Sequence, residues 1–149
     1  SAVYQIDTLV RMVDFASVGS NDLTQYLLAV DRNNDRVAKL YDPLHPAVLA
    51  AIRHVVERGQ AAGRPIGICG EMAGDPASAL LLLGMGVDSL SMNLGSLLKI
   101  KWMIRSIRYA AAQELLAEVM TFDNAAAIRS RATLFLEQQG LSGLLRVGR

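Results

Sequence analysis

A unit met three times along this chain constrains its fold more than anything else: a short apolar run, a turn containing Gly and a polar residue, and apolar residues at helical spacing. Phe15-Ala16-Ser17-Val18 is stopped by Gly19-Ser20-Asn21-Asp22, after which Leu23, Tyr26, Leu27 and Val30 fall at i, i+3, i+4 and i+7. Pro65-Ile66-Gly67-Ile68-Cys69 reads as a buried strand, Gly70-Glu71-Met72-Ala73-Gly74-Asp75 as a turn, and Ala77 to Leu83 as a helix. Asp75-Pro76 supplies that helix with a cap and a first-turn proline, and Gly84 or Gly86 ends it. Val87 to Met92 is the third strand, leading through Asn93-Leu94-Gly95 into a helix with Leu97, Ile100, Ile104 and Ile107. Strands separated by helices pair in parallel, because parallel neighbours need crossover connections, so the fold class is α/β. A closed (β/α)8 barrel needs eight strands and typically about 250 residues. The 149 residues here make either a small open sheet or the tail of a barrel.

The segments around these units are helices and one loop. Val3, Ile6, Val10 and Val13 have helical spacing, so the chain opens in a helix. Asp31 to Tyr41 is rich in charge and Asn, has no period, and reads as a loop closed by Pro43 and Pro46. Val48, Leu49, Ile52, Val55 and Val56 mark a helix ending near Gly59 to Gly63. After Tyr109 only helices are expected: one with Leu115, Leu116 and Val119, and one capped by Asp123 with Ile128, Ala132 and Phe135. Leu141 to Arg149 reads as a frayed tail.

Composition excludes several classes of function. With 52% apolar and 19% charged residues the chain packs a core and is not disordered. Its longest near-apolar run, Ala79 to Val87, falls far short of the roughly 20 residues that cross a bilayer, so no membrane insertion is expected. Fifteen Lys and Arg against fourteen Asp and Glu leave a net +1, which points to neither nucleic acid nor an anionic surface. A lone cysteine closes no internal disulfide and no secretory leader is visible, so a cytoplasmic setting is expected. The start at Ser1, with an amphipathic stretch almost at once, suggests that residues 1–149 are a fragment of a longer protein.

In parallel sheets and barrels, ligands bind at the carboxyl ends of the strands, which here carry three polar turns. The first offers an amide and a carboxylate, Asn21 and Asp22; the second a thiol between glycines, Cys69; the third Ser91 and Asn93. By spacing alone, Asn21-Asp22 reads as a helix cap as readily as a binding pair. Cys69 reads as a buried structural thiol or as a functional one. His45, between two prolines, and His54, on a helix away from the strand ends, read as structural. No dinucleotide-binding glycine motif follows a strand, and no Walker loop, HExxH or metal-spaced Cys and His set is present.

The blocks Gly19-Ser20-Asn21-Asp22-Leu23-Thr24-Gln25-Tyr26, continuing to Ala29-Val30-Asp31-Arg32, and Gly67-Ile68-Cys69-Gly70-Glu71-Met72-Ala73-Gly74-Asp75 resemble the hallmark blocks of the phosphoenolpyruvate-utilising enzymes. Within that family the chain is most similar to the enzyme I branch of the bacterial phosphotransferase system. Similarity runs from about Val13 to about Arg105 and includes Asp42-Pro43-Leu44-His45-Pro46-Ala47-Val48-Leu49 and Leu83-Gly84-Met85-Gly86-Val87-Asp88. Ser89-Leu90-Ser91-Met92-Asn93 with Lys101-Trp102 looks more like the nitrogen-regulatory paralogue than the sugar-transport one.

The resemblance implies the last three strands and helices of a phosphoenolpyruvate-binding (β/α)8 barrel, followed by an all-helical C-terminal tail. It implies Mg²⁺ bound by Asp22, phosphate held by Asn21 and Arg32, and Cys69 as the acid-base group. A second Mg²⁺ carboxylate would lie just before Ser1, and the phosphorylated histidine in a separate domain. The implied activity is phosphoryl transfer from phosphoenolpyruvate to an enzyme histidine and then to a phosphocarrier protein, in a cytoplasmic homodimer. The residue types suit that chemistry, since a carboxylate-held cation and an Arg fork stabilise a transferring phosphoryl group. A thiol, mostly protonated at neutral pH, can then protonate C3 of the enolpyruvate left behind. Arg32 lies ten residues beyond Asp22, and an uninterrupted helix would carry it ~15 Å away unless the chain folds back. Two other functions remain: a non-catalytic phosphoenolpyruvate-sensing or dimerisation module, and a relative of pyruvate phosphate dikinase or phosphoenolpyruvate synthase.

Overall fold

The three apolar runs form three parallel strands. In the computed structural model, which describes residues 1–145, β1 (Ala16–Gly19), β2 (Ile66–Cys69) and β3 (Ser89–Ser91) make one sheet in the order β1-β2-β3. Ser17 pairs with Gly67 and Gly67 with Ser89, while Gly19 pairs with Cys69 and Cys69 with Ser91. Alternate residues point to opposite faces. One face therefore carries Ser17, Gly67, Cys69, Ser89 and Ser91, small and mostly polar. The other carries Ile66 and Ile68, fully buried, with Val18 and Leu90 packed against the core.

The helices are α1 (Ile6–Leu9), α2 (Ser20–Leu28), α3 (Pro46–Ala61), α4 (Glu71–Gly74), α5 (Pro76–Met85), α6 (Leu94–Ser106), α7 (Tyr109–Val119) and α8 (Ala125–Gln138), with 3-10 turns at Ala2–Gln5, Ala38–Leu40 and Ser142–Leu145. α3 and α5 start as their sequences dictate. His45 caps α3 by accepting from the Ala47 N–H at 3.2 Å, with Pro46 in the first turn. Asp75 caps α5, its carboxylate accepting from the Ser78 N–H at 3.0 Å and the Ser78 hydroxyl at 2.5 Å. α5 ends in a left-handed Gly86 and is apolar nearly all round. Leu80, Leu81 and Leu82 are each 0% exposed, and burying a side chain of this size is worth about 1.5–3 kcal/mol. α7 and α8 pack on α5 and are joined by a forked ion pair, Arg131 to both Glu118 oxygens at 2.7 Å. No helix among the described residues is long and apolar enough to cross a membrane.

Several expectations are corrected. The opening helix is a 3-10 turn and a single α turn ending at Leu9, with Val13 exposed. β3 is half the length expected; just before it Asp88 grips the β2 start, its N–H donating to the Ile66 carbonyl at 2.9 Å and its carboxylate accepting from the Ile66 N–H at 2.8 Å. The residues read as a turn after Cys69 form α4 instead. The last helix is capped by Asn124, whose Oδ1 accepts from the Ala127 N–H at 2.8 Å, and not by Asp123. The segment read as a frayed tail buries Leu141 and Leu144 against the core; residues 146–149 lie outside the described residues.

Candidate functional site

α2 begins at Ser20 with Gly19 in the cap position, so Asn21 and Asp22 lie in its first turn and neither is the cap that spacing alone allowed. The start of α2 is bound to the end of β2. The Ser20 hydroxyl donates to the Cys69 carbonyl at 2.9 Å, and the Thr24 hydroxyl to the Ser20 carbonyl at 2.7 Å, both side chains fully buried. Gly70 has φ 115° and ψ −171°, a conformation reserved for glycine. A Cβ there would fall 2.6 Å from the Ser20 Oγ and 3.1 Å from the Asn21 Oδ1, so the close approach of the two turns requires glycine twice over.

That approach puts the Asn21 side chain against the second turn. Its Oδ1 accepts from the Glu71 N–H at 3.3 Å, and the Tyr41 hydroxyl stands 3.5 Å from both Oδ1 and the Asn21 backbone oxygen. Arg32 reaches the same place because α2 stops in a left-handed Ala29, φ 54°, and the Val30 N–H donates back to the Gln25 carbonyl at 3.0 Å. The chain reverses there, and the Arg32 guanidinium lies 3.8 Å from the Glu71 carboxylate. Asn21, Gly70, Glu71, Ser91, Met92 and Asn93 line an open recess of about 360 Å³ over the carboxyl ends of the strands.

The remaining residues flank this recess. Cys69 is half-buried at the end of β2 with its thiol 3.5 Å from the Val18 carbonyl. It stands on the small-residue face of the sheet and does not line the recess. Asp22 is exposed, its carboxylate turned back toward Gly19, where a Cβ would be 3.8 Å from Oδ2. Asn93 is committed as the cap of α6, accepting from the Ser96 N–H at 2.9 Å. Among the described residues no group of three His, Cys, Asp or Glu side chains is gathered for a metal ion. Mg²⁺ is commonly held by one or two carboxylates, with waters and substrate phosphate completing its shell, and Asp22 fits as one such donor.

Tyr41 was not singled out by sequence, because its loop has no period and the contact to Asn21 spans twenty residues. Its only signal was an aromatic residue in a charged, Asn-rich loop. Burial pushes its hydroxyl pKa above the ordinary value, outweighing hydrogen bonding to Thr24 and the nearby Arg32 charge.

Residues 1–109 match the family model described as the PEP-binding domain of PEP-utilising enzymes. The chain belongs to this family. It is 45% identical over 148 residues to a protein of Escherichia coli K12 named for the phosphoenolpyruvate-dependent phosphotransferase system, covering 99% of this chain and 20% of the relative. It is 43% identical over 142 residues to the phosphoenolpyruvate-protein phosphotransferase of Haemophilus influenzae, covering 95% of this chain and 25% of the relative. A phosphoenolpyruvate-protein phosphotransferase of Staphylococcus carnosus is 46% identical over 109 residues, 73% of this chain and 19% of that protein. The chain thus spans about a fifth to a quarter of the length of these curated relatives.

Proposed function

We propose that this chain is the C-terminal part of a phosphoenolpyruvate-dependent protein phosphotransferase, and that phosphoenolpyruvate binds over the carboxyl ends of β1, β2 and β3. The convergence of Asn21, Arg32 and the Cys69-Gly70-Glu71 turn, far apart in sequence, at the strand ends of a PEP-binding family member carries this function. Arg32 holds the phosphate. Its pair with Glu71 is long and exposed, and such pairs are worth about 0–1 kcal/mol, so a phosphate can take over the guanidinium with a better, forked geometry. The Asn21 amide adds a neutral donor. Asp22 is the carboxylate that holds Mg²⁺, which when bound offsets charge on the transferring phosphoryl group.

In the reaction the P–O bond of phosphoenolpyruvate breaks as a P–N bond forms to a histidine of the enzyme. The enolate that remains takes a proton at C3 from the Cys69 thiol and leaves as pyruvate. The histidine passes its phosphoryl group to a phosphocarrier protein. In this proposal the open edges of β1 and β3 are closed by the other strands of a (β/α)8 barrel, and the enzyme is a cytoplasmic homodimer. Ser89 to Asn93 and Lys101-Trp102 favour its nitrogen-regulatory branch.

In the full-length enzyme, Asp22→Asn is expected to slow Mg²⁺-dependent self-phosphorylation by orders of magnitude with its melting temperature nearly unchanged, since Asp22 is exposed and is not the cap of α2. An unchanged Mg²⁺ dependence would refute the metal role. Titrating the chain alone with phosphoenolpyruvate and Mg²⁺ separates the rival module: binding without any turnover in the full-length protein would favour a sensor.

A further inference from the structure

An anion needs the NH2 end of an asparagine, and an amide can present either end. At Asn21 the Glu71 N–H donates to Oδ1 at 3.3 Å, and the Tyr41 hydroxyl stands 3.5 Å from that oxygen and from the Asn21 backbone oxygen, so both favour the orientation with the oxygen toward this turn. With the oxygen turned to the Glu71 N–H and the Tyr41 hydroxyl, the NH2 group is the end left for a ligand. Tyr41 is itself held firmly. Its N–H donates to the Ala38 carbonyl at 3.1 Å, closing the Ala38–Leu40 turn. Just beyond it, Asp42 accepts from the Leu44 N–H at 2.9 Å, Leu44 is wholly buried, and Arg129 of α8 lies 3.4 Å from the Asp42 carboxylate.

We infer that Tyr41 is a positioning residue of the proposed phosphoenolpyruvate site, fixing the Asn21 amide so that its NH2 group is offered to the phosphate. The role rests on the proposed function. Tyr41 touches Asn21 through its hydroxyl, and its ring can stay where it is when that oxygen is removed. Burial keeps the hydroxyl protonated, so it remains a donor across the working pH range. Arg32 and Glu71, from the two elements packed around it, are the charged groups that act on it, with opposite signs.

The test is Tyr41→Phe in the full-length enzyme, with Asn21→Ala and the double variant beside it. Tyr41→Phe is expected to raise KM for phosphoenolpyruvate about fivefold, the factor associated with one net hydrogen bond, while kcat changes less than about twofold. Its melting temperature stays that of the parent. In the Asn21→Ala background, Tyr41→Phe is expected to raise KM no further, because the amide it orients is gone. A KM unchanged by Tyr41→Phe, when Asn21→Ala raises it strongly, overturns the positioning role alone. Equal additional loss in both backgrounds also overturns it, and assigns Tyr41 a role independent of Asn21. A lowered kcat at constant KM, matched by a lowered melting temperature, makes Tyr41 merely structural. If Asn21→Ala itself leaves KM unaltered, the proposed site fails and the Tyr41 role fails with it.

Discussion

α5 and α6 flank the same strand in sequence, and they are treated very differently. α5 buries Pro76, Ala77, Ser78, Ala79, Leu80, Leu81, Leu82, Gly84 and Met85, closed in by α4, α6, α7 and α8. α6 buries only Ser96, Ile100 and Met103, and leaves Leu94 83%, Leu98 77% and Trp102 54% exposed. Along α6 and β3 runs an apolar groove of about 420 Å³ lined by Leu83, Leu90, Leu97, Ile100 and Ile104 among others. Helical periodicity marks which residues share a stripe and says nothing about what lies against it. The stripe of α5 meets partners within these residues, whereas that of α6 stands beside the unpaired edge of β3.

Substitutions in the isolated chain test the difference between α5 and α6, with stability read from denaturant unfolding. Leu81→Ala, in the filled layer, should have the largest effect, a loss of about 2–5 kcal/mol. Gly84→Ala comes next. A Cβ there would sit 2.5 Å from the Ala112 carbonyl oxygen and 3.0 Å from its carbon, so α5 and α7 would have to separate, at about 1–3 kcal/mol. Leu98→Ala, on the bare side of α6, should change stability by less than about 0.5 kcal/mol. A cost at Leu98 close to that at Leu81 would mean that α6 is already covered, through self-association, and would abolish the contrast. If instead Leu98→Ala is silent in the isolated chain and costly in the full-length protein, the contrast is sharpened into a measured domain interface.

The sequence-level reading succeeded where local chemistry decides the outcome. The three strand-turn-helix units, the Asp75-Pro76 start of α5 and the structural role of His45 all follow from capping and periodicity within a few residues. It failed where a distant partner decides. Asn21 looks like a cap in isolation, and only Gly70 and Glu71, fifty residues on, draw its oxygen across the strand ends. Leu141 and Leu144 look like a loose end until the core that receives them is assembled. The left-handed Ala29 is the least legible of all, because a non-glycine residue at φ 54° gives no sequence signal, yet it returns Arg32 to the site. The exposed face of the sheet likewise carries Ser17, Ser89 and Ser91, polar positions that the reading of each strand as a short apolar run does not separate from the buried ones.

Cys69 allows the two steps of the proposed phosphoenolpyruvate chemistry at the strand ends to be separated. Loss of the phosphoryl group needs no acid at C3, whereas making pyruvate does. The measurement is single-turnover phosphoryl transfer from phosphoenolpyruvate to the histidine in full-length Cys69→Ala, paired with solvent deuterium incorporation at C3 of pyruvate. Phosphoryl transfer should persist, at least slowly, while deuterium incorporation falls by about 10² to 10⁴-fold, the usual loss for a positioned acid. Equal loss in both assays together with a lowered melting temperature would contradict the account and leave Cys69 as a packing residue of β2.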